Sequence, residues 1–302
     1  MTDILKGAPL VDKLCAELIA KVKELSNQNI KPCLAIVRVG AKPNDISYEN
    51  TILKRCEKIG AVAKQVVLAE DIPAEDFYAE LENLNADCNV HGILMFRPLP
   101  SHIDGEKARN LIAASKDVDG STDASLAGIF TDSDVGFPPC TASAAMEILD
   151  FYGVELSGKN AVVLGRSLVI GKPVAMMLLR KNASVTICHS KTKNIEELSR
   201  SADILIACTG QPESVGPEYV NPNQCIIDVG VSYSEAKQKL CGDVDFDAVS
   251  DKVASITPVP GGVGGVTSTI LVKHLVEAAA KQACTRSVSY THLRAHETVL
   301  DL

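Results

Sequence analysis

The chain has 302 residues, 46% of them hydrophobic and 23% charged, with a formal net charge of -8. That length buries one large core or two moderate ones, so two domains are expected. The acids and bases are intermingled, which argues against nucleic acid as a partner; no apolar run reaches the roughly 18 residues of a membrane span, and the opening MTDILKGAPLVDKL lacks the order of a signal peptide, so a cytoplasmic location is expected.

Leu10, Leu14, Leu18, Ile19 and Val22 fall at helical spacing over 10–27, and CLAIVRVG (33–40) reads as a strand ending in glycine. ISYENTILKRCEKIG (46–60) has helical composition with Gly60 as its stop; AVAKQVVLA (61–69) reads as a strand, the acidic segment 74–86 as a helix, and HGILMF (91–96) as a buried strand. The stretch 117–141 is rich in Gly, Asp, Ser and Pro and is expected to be a linker loop at a cleft. A second alternation follows: helix 141–152, strand NAVVLG (160–165), a helix from about Lys172, strand SVTICH (184–189), a helix near 193–201, strands DILIACT (203–209) and QCIIDVG (224–230), and a last helix over 267–283. Short apolar strands separated by helices predict an α/β fold with a mainly parallel sheet, because parallel strands need crossover connections. From about Arg286 the apolar period is lost, and 286–302 reads as a non-native tail outside the fold.

Ten cysteines are scattered singly, with no C-x-x-C pair and no Cys/His spacing suited to zinc, so buried reduced thiols are expected and no metal. Cys140, and Cys188 beside His189, are open to a second reading as nucleophiles.

The strand NAVVLG runs straight into GRSLVIGKP, where Gly165 and Gly171 bracket a helix start. A helix start offers unpaired N–H groups and the positive end of a dipole, which suits a pyrophosphate; a glycine-rich turn with no ligand is the plainer alternative. Dinucleotide folds that take NAD carry an acid at the end of the next strand, but here the string is His189-Ser190-Lys191-Thr192. With no carboxylate there, and with Arg166 able to grip a phosphate, the pocket is read as one for NADP. TPVPGGVGGVT (257–267) is expected to be a loop, either approaching a ligand closely or serving as an interdomain hinge.

The ordered strings PLPSHID (98–104), KDVDG (116–120), PPCT (138–141), GRSLVIGKP (165–173), SVTICHSKT (184–192), IDVGV (227–231), GDVDF (242–246) and ITPVPGGVGGVT (256–267) together resemble the bifunctional methylenetetrahydrofolate dehydrogenase/methenyltetrahydrofolate cyclohydrolase family. The resemblance covers nearly the whole chain to about residue 283. It implies a folate domain over 1–140, completed by the helix at 267–283, a Rossmann-type NADP domain over 141–266, a cleft between them, and a homodimer. It assigns Gly165, Arg166, Ser167, Gly171, His189, Ser190 and Val231 to the cofactor, with Ser190 at the 2'-phosphate and Val231 toward the nicotinamide. It assigns Asp45, Tyr48, Phe96, Pro98, Leu99, Asp119, Pro260, Gly261 and Gly262 to the folate, with Asp119 anchoring the pterin and Tyr48 stacking on it. Read without the resemblance, Asp119 is a turn residue.

The chain departs from the family at three places. The family's lysine four residues after the tyrosine is Ile52 here, its glutamine is Phe96, and its serine is Asp45. Lys54 lies roughly 200° around the helix from position 52. Tyr48, Lys54 and Asp119 are the catalytic candidates. Hydride transfer needs mostly positioning, whereas hydrolysis of the methenyl product needs a proton carrier, so the departures weigh on the second step. A dehydrogenase of similar build for another small metabolite, and a non-catalytic NADP or folate sensor, are the competing readings.

Overall fold

The computed structural model describes residues 2–234 and 238–297, with side chains as far as 284. In chain order the elements are β1 (Asp3–Ile4), α1 (Gly7–Asn27), β2 (Cys33–Val39), α2 (Pro43–Ile59), β3 (Val62–Leu68), α3 (Ala74–Ala86), β4 (Gly92–Met95), α4 (Gly105–Leu111), α5 (Asp123–Thr131), α6 (Cys140–Phe151), β5 (Asn160–Leu164), α7 (Gly171–Arg180), β6 (Ser184–Cys188), α8 (Ile195–Arg200), β7 (Ile204–Ala207), β8 (Cys225–Asp228), β9 (Ser232–Ser234), β10 (Lys239–Cys241), α9 (Phe246–Val249), β11 (Ser255–Ile256) and α10 (Val263–Glu297). The fold is two-domain α/β with mainly parallel sheets. One compact unit joins the start of the chain through Leu14 to Ser125–Ile270, and the other joins Cys15–Ala124 to the chain from Leu271 onward.

The Cys15–Ala124 unit is built on a three-stranded sheet in the order β3-β2-β4, parallel throughout. Its central strand is buried from Leu34 to Val39, so it reads as an apolar run broken by Arg38 alone rather than as an alternating one. Phe77, Leu81 and Leu84 of α3 pack with Ala35, Val37 and Ile93 in one core cluster. Helix α2 is tied to this sheet by a buried polar cluster, in which Glu49 accepts from Arg38 Nε at 2.8 Å and from Gln65 Nε2 at 2.7 Å. A buried carboxylate with both oxygens served in this way fixes the rotation of α2 and so the direction of its neighbour Tyr48.

The Ser125–Ile270 unit carries a six-stranded sheet in the order β1-β11-β8-β7-β5-β6, again parallel at every pairing. The chain leaves β5 to one side, into β6, and returns on the other, into β7. That reversal of direction opens a crevice at the carboxyl ends of the strands, the usual place for a ligand in an open α/β sheet. Two short strands, β9 and β10, pair antiparallel in a sheet of their own.

Two expectations are corrected. The stretch 117–141 is not all loop: it holds α5 and the first residues of α6. Asp123 in the first turn and the run SLAGIF support helix there, and the Gly, Asp and Ser content masked it. The glycine-rich segment before the last helix is shorter than expected, because α10 begins at Val263 and takes in Gly264 and Gly265. The side chains of the expected tail, 286–302, lie outside those described.

A candidate cofactor crevice and a presented carboxylate

At the ends of β5, β6 and β7 a cavity of about 480 Å³ is lined by Gly165, Arg166 and Ser167, by His189, Ser190 and Thr192, and by Thr209 and Gln211 among others. Gly165 has φ of +144°, and a Cβ there would stand 2.3 Å from the Cys208 carbonyl oxygen. A Cβ on Gly171 would stand 2.3 Å from the Gly165 carbonyl oxygen. The turn can therefore close onto the start of α7 only with glycine at both positions. Ser167 completes the turn: its hydroxyl accepts from the Ile170 N–H at 3.2 Å and its carbonyl from the Lys172 N–H at 3.0 Å.

The loop after β6 is shaped by side chains to the same end. His189 N–H donates to Thr192 Oγ1 at 2.9 Å, and the ring Nδ1 accepts from Lys191 N–H at 3.1 Å, which leaves the ring proton on Nε2. Ser190 is held exposed at the tip, and Arg166, also exposed, faces the same cavity. Among the described residues, no Asp or Glu lines it. Cys140 and Cys188 are buried core thiols, and burial raises the pKa of Cys188, which removes the nucleophile reading of both.

Behind the crevice lies a carboxylate that sequence reasoning missed. Asp228, at the end of β8, accepts from the backbone N–H groups of Gly230, Asp243 and Val244, each at 3.0 Å. It thereby ties IDVGV to GDVDF, two strings legible separately whose joint purpose is this one hydrogen-bonded node. Burial pushes its carboxyl up to about 7, against the three N–H donors that favour the charged form. The node holds the loop that ends in Val231, which is 56% exposed. Pro260 to Gly262 sit in this same unit, where the Gly261 carbonyl accepts from the Gly7 N–H at 2.8 Å.

In the other unit, KDVDG divides its labour residue by residue. Lys116 is buried and donates to the carbonyls of Leu84, Asn85 and Asp87, capping the carboxyl end of α3 at 2.7 to 3.0 Å. Asp117, fully buried, accepts from Ser121 N–H at 3.0 Å and Thr122 N–H at 2.8 Å. The Val118 carbonyl accepts from His274 Nδ1 of α10 at 2.9 Å, and Val118 packs on Gly92. With its neighbours fastened on both sides, Asp119 projects from a rigid loop with 29% of its side chain open, facing Arg97 Nη2 at 3.5 Å. Burial raises its carboxyl to about 6, with Arg97 opposing and Asp117 adding to the shift.

Tyr48 and Phe96 meet edge to face with ring centroids 5.9 Å apart. Lys42 Nζ donates to the Pro98 carbonyl at 3.0 Å, joining the amino end of α2 to PLPSHID, and Leu99 packs against the unit's core. Ile52 is fully buried, whereas Lys54 is exposed on the opposite side of α2, and Asp45 is half-buried in its first turn.

The sequence pattern of the tetrahydrofolate dehydrogenase/cyclohydrolase catalytic domain matches residues 5–119, and that of the family's NAD(P)-binding domain matches residues 139–283. The chain belongs to the tetrahydrofolate dehydrogenase/cyclohydrolase family. Bifunctional FolD proteins of Carboxydothermus hydrogenoformans and Clostridioides difficile are each 49% identical over 279 residues, 92% of this chain and 97% of theirs. A crystal structure of the bifunctional FolD enzyme of Campylobacter jejuni superposes with a TM-score of 0.90 at 37% identity, covering 93% of this chain and all of that one. The Trypanosoma brucei FolD structure, complexed with NADP cofactor and inhibitor, gives a TM-score of 0.86 at 32% identity, covering 93% and 98%.

Within this family frame the crevice of the NAD(P)-binding domain fits a dinucleotide, because glycine at 165 and 171 lets the turn close onto the start of α7 while Arg166 and Ser190 stand exposed on the same cavity. Gly171→Ala is expected to weaken dinucleotide binding at least about tenfold, since the atoms it meets are backbone and cannot swing aside. Fluorescence titration of NADPH onto the purified variant checks this. Phe96 is buried while its neighbour Arg97 stays part-exposed and reaches Asp119, the divergence expected of consecutive side chains on extended backbone.

Proposed function

We propose that the protein oxidises 5,10-methylenetetrahydrofolate to 5,10-methenyltetrahydrofolate with NADP, in the manner of its bifunctional relatives. The observation that carries this reading is a crevice at the sheet's switch point with a glycine turn, an exposed Arg166 and, among the described residues, no carboxylate in its lining. A ribose 2'-phosphate needs cationic and hydroxyl donors where NAD would need an acid, and Arg166 with Ser190 supplies them. Gly165, Ser167 and Gly171 would hold the pyrophosphate at the start of α7, with His189 beside it and Val231 toward the nicotinamide. When bound, NADP accepts a hydride and leaves the substrate carbon cationic.

For the folate, Asp119 accepts the paired N–H groups of the pterin edge, and Tyr48 and Phe96 offer an aromatic wall. Pro98 and Leu99 would border it by shape, and Pro260, Gly261 and Gly262 are the folate candidates carried by the other unit. The folate domain is taken as 1–140 with the helix at 267–283, and the NADP domain as 141–266, in a cytoplasmic homodimer. The second activity, hydrolysis of the methenyl product to 10-formyltetrahydrofolate, is proposed to be the weaker one. Ile52 and Phe96 are apolar where a proton must move, and Lys54 stands exposed on the other face of α2.

Initial-rate assays with each dinucleotide test the reading. NADP is expected to be preferred over NAD at least about tenfold, and Arg166→Ala to remove most of that preference, because a charge-assisted phosphate contact contributes roughly 1.5–3 kcal/mol. Equal turnover with NAD would contradict it. Following the methenyl absorbance in the same assay is expected to show that product accumulating, and to the same extent in Lys54→Ala, whose side chain lies on the other face of α2.

A further inference from the structure

Beside Asp119 stands a cation that neither the family motifs nor the mechanism above employ. Arg97 follows Phe96, whose N–H extends the β4 pairing by donating to the Val37 carbonyl at 3.0 Å. Its guanidinium reaches Asp119 at 3.5 Å, and both side chains stay partly open, 36% for Arg97 and 29% for Asp119. A single long contact leaves most of the five guanidinium N–H donors without a carboxylate partner in the pair. The backbone under the pair is stiff on both sides, through the β4 extension and through the Lys116, Asp117 and Val118 anchors. Two acceptor lone pairs and a forked donor are thus held side by side on a rigid support.

We infer that Arg97 is a substrate-reading residue, which donates to the carbonyl oxygen of the pterin's pyrimidine ring while Asp119 accepts from the adjoining ring N–H and amino group. That edge presents donor, donor and acceptor in a row, and the Asp119–Arg97 pair presents the complement. The inference rests on the proposed folate reading and adds a selectivity to it: the pair distinguishes a 4-oxo pterin from a 4-amino one, whose exocyclic group would meet the guanidinium donor to donor. The guanidinium fork matters as well as the charge, so lysine is an incomplete substitute.

The experiment compares the intact protein with Arg97→Leu and Arg97→Lys. For Arg97→Leu the KM for methylenetetrahydrofolate is expected to rise roughly tenfold, with kcat within about threefold and the KM for NADP unchanged. Arg97→Lys is expected to fall between. Inhibition by a 4-oxo folate analogue and by its 4-amino counterpart supplies a readout that a merely structural role would not move. Arg97→Leu should weaken the first at least about tenfold more than the second. The acid limb of kcat/KM should also move to higher pH, since Arg97 opposes the rise in Asp119; Lys116, Asp117 and His274, also at this loop, are shared by both enzymes. A KM within twofold of wild type together with unchanged discrimination between the analogues would overturn the role of Arg97. Absence of turnover in the wild-type protein would instead overturn the folate reading, and this inference with it.

Discussion

Asp119→Asn is expected to lower kcat/KM for methylenetetrahydrofolate by about two to three orders of magnitude while leaving the fold intact. The carboxylate offers two acceptors to two N–H groups, and the amide replaces one of them with a donor facing a donor. Losing one charge-assisted bond and gaining one unsatisfied contact amounts to roughly 3–4 kcal/mol. The fold should tolerate the change because the loop is fastened by Lys116, Asp117 and the Val118 carbonyl, not by Asp119. Wild-type activity should also carry an acid limb. The carboxyl, raised to about 6, must be ionised to accept both N–H groups, so kcat/KM should fall as pH drops through that value. Steady-state kinetics from pH 5 to 8, beside thermal melts of both proteins, check rate, sign and folding together.

The second large effect is on stability. Asp228→Asn places an amide NH2 group among three backbone N–H donors in a site with no room, where even a Cβ at Gly242 would overlap the carboxylate at 1.9 Å. A loss of about 3 kcal/mol in urea unfolding is expected. The pH dependence has a definite sign. The carboxyl is raised from 3.8 to about 7 on folding, so the native state binds its proton more tightly than the unfolded chain does. Its contribution to stability is therefore full below about pH 4 and is lost as pH rises through 7. Asp119 acts in the same direction, and His274, lowered to about 4, acts in the opposite one. Comparing the variant with wild type at each pH cancels both, and the gap between them should be wider at pH 5 than at pH 8.

What the sequence disclosed and what it concealed follow from the range of the forces involved. Helix α3 was predicted over the same residues the structure shows, because an acidic first turn and the spacing of Phe77, Leu81 and Leu84 are local signals. The glycine turn at 165–171 was legible for a similar reason: a strand, two glycines and a helix start lie within a dozen residues. Helix α5 was hidden because its polar flanks outweighed its apolar run in composition. The Asp228 node was hidden because its partners at 243 and 244 come from another segment, and no local pattern announces that a carboxylate will meet a distant backbone. Arg97 and Asp119 likewise come together only through the packing of the three-stranded sheet against its loops. In KDVDG the motif itself was visible, but the distribution of capping, loop building and presentation among Lys116, Asp117 and Asp119 needed three-dimensional contacts.

On the proposed reading, hydrogen passes with its electron pair from the folate's one-carbon bridge to a phosphorylated dinucleotide held at the glycine turn. Methylenetetrahydrofolate with both hydrogens of the bridging carbon replaced by deuterium, incubated with the protein and NADP, tests it by mass spectrometry of the reduced dinucleotide. NADPH bearing one deuterium per molecule is expected. Unlabelled NADPH, or none, would contradict it.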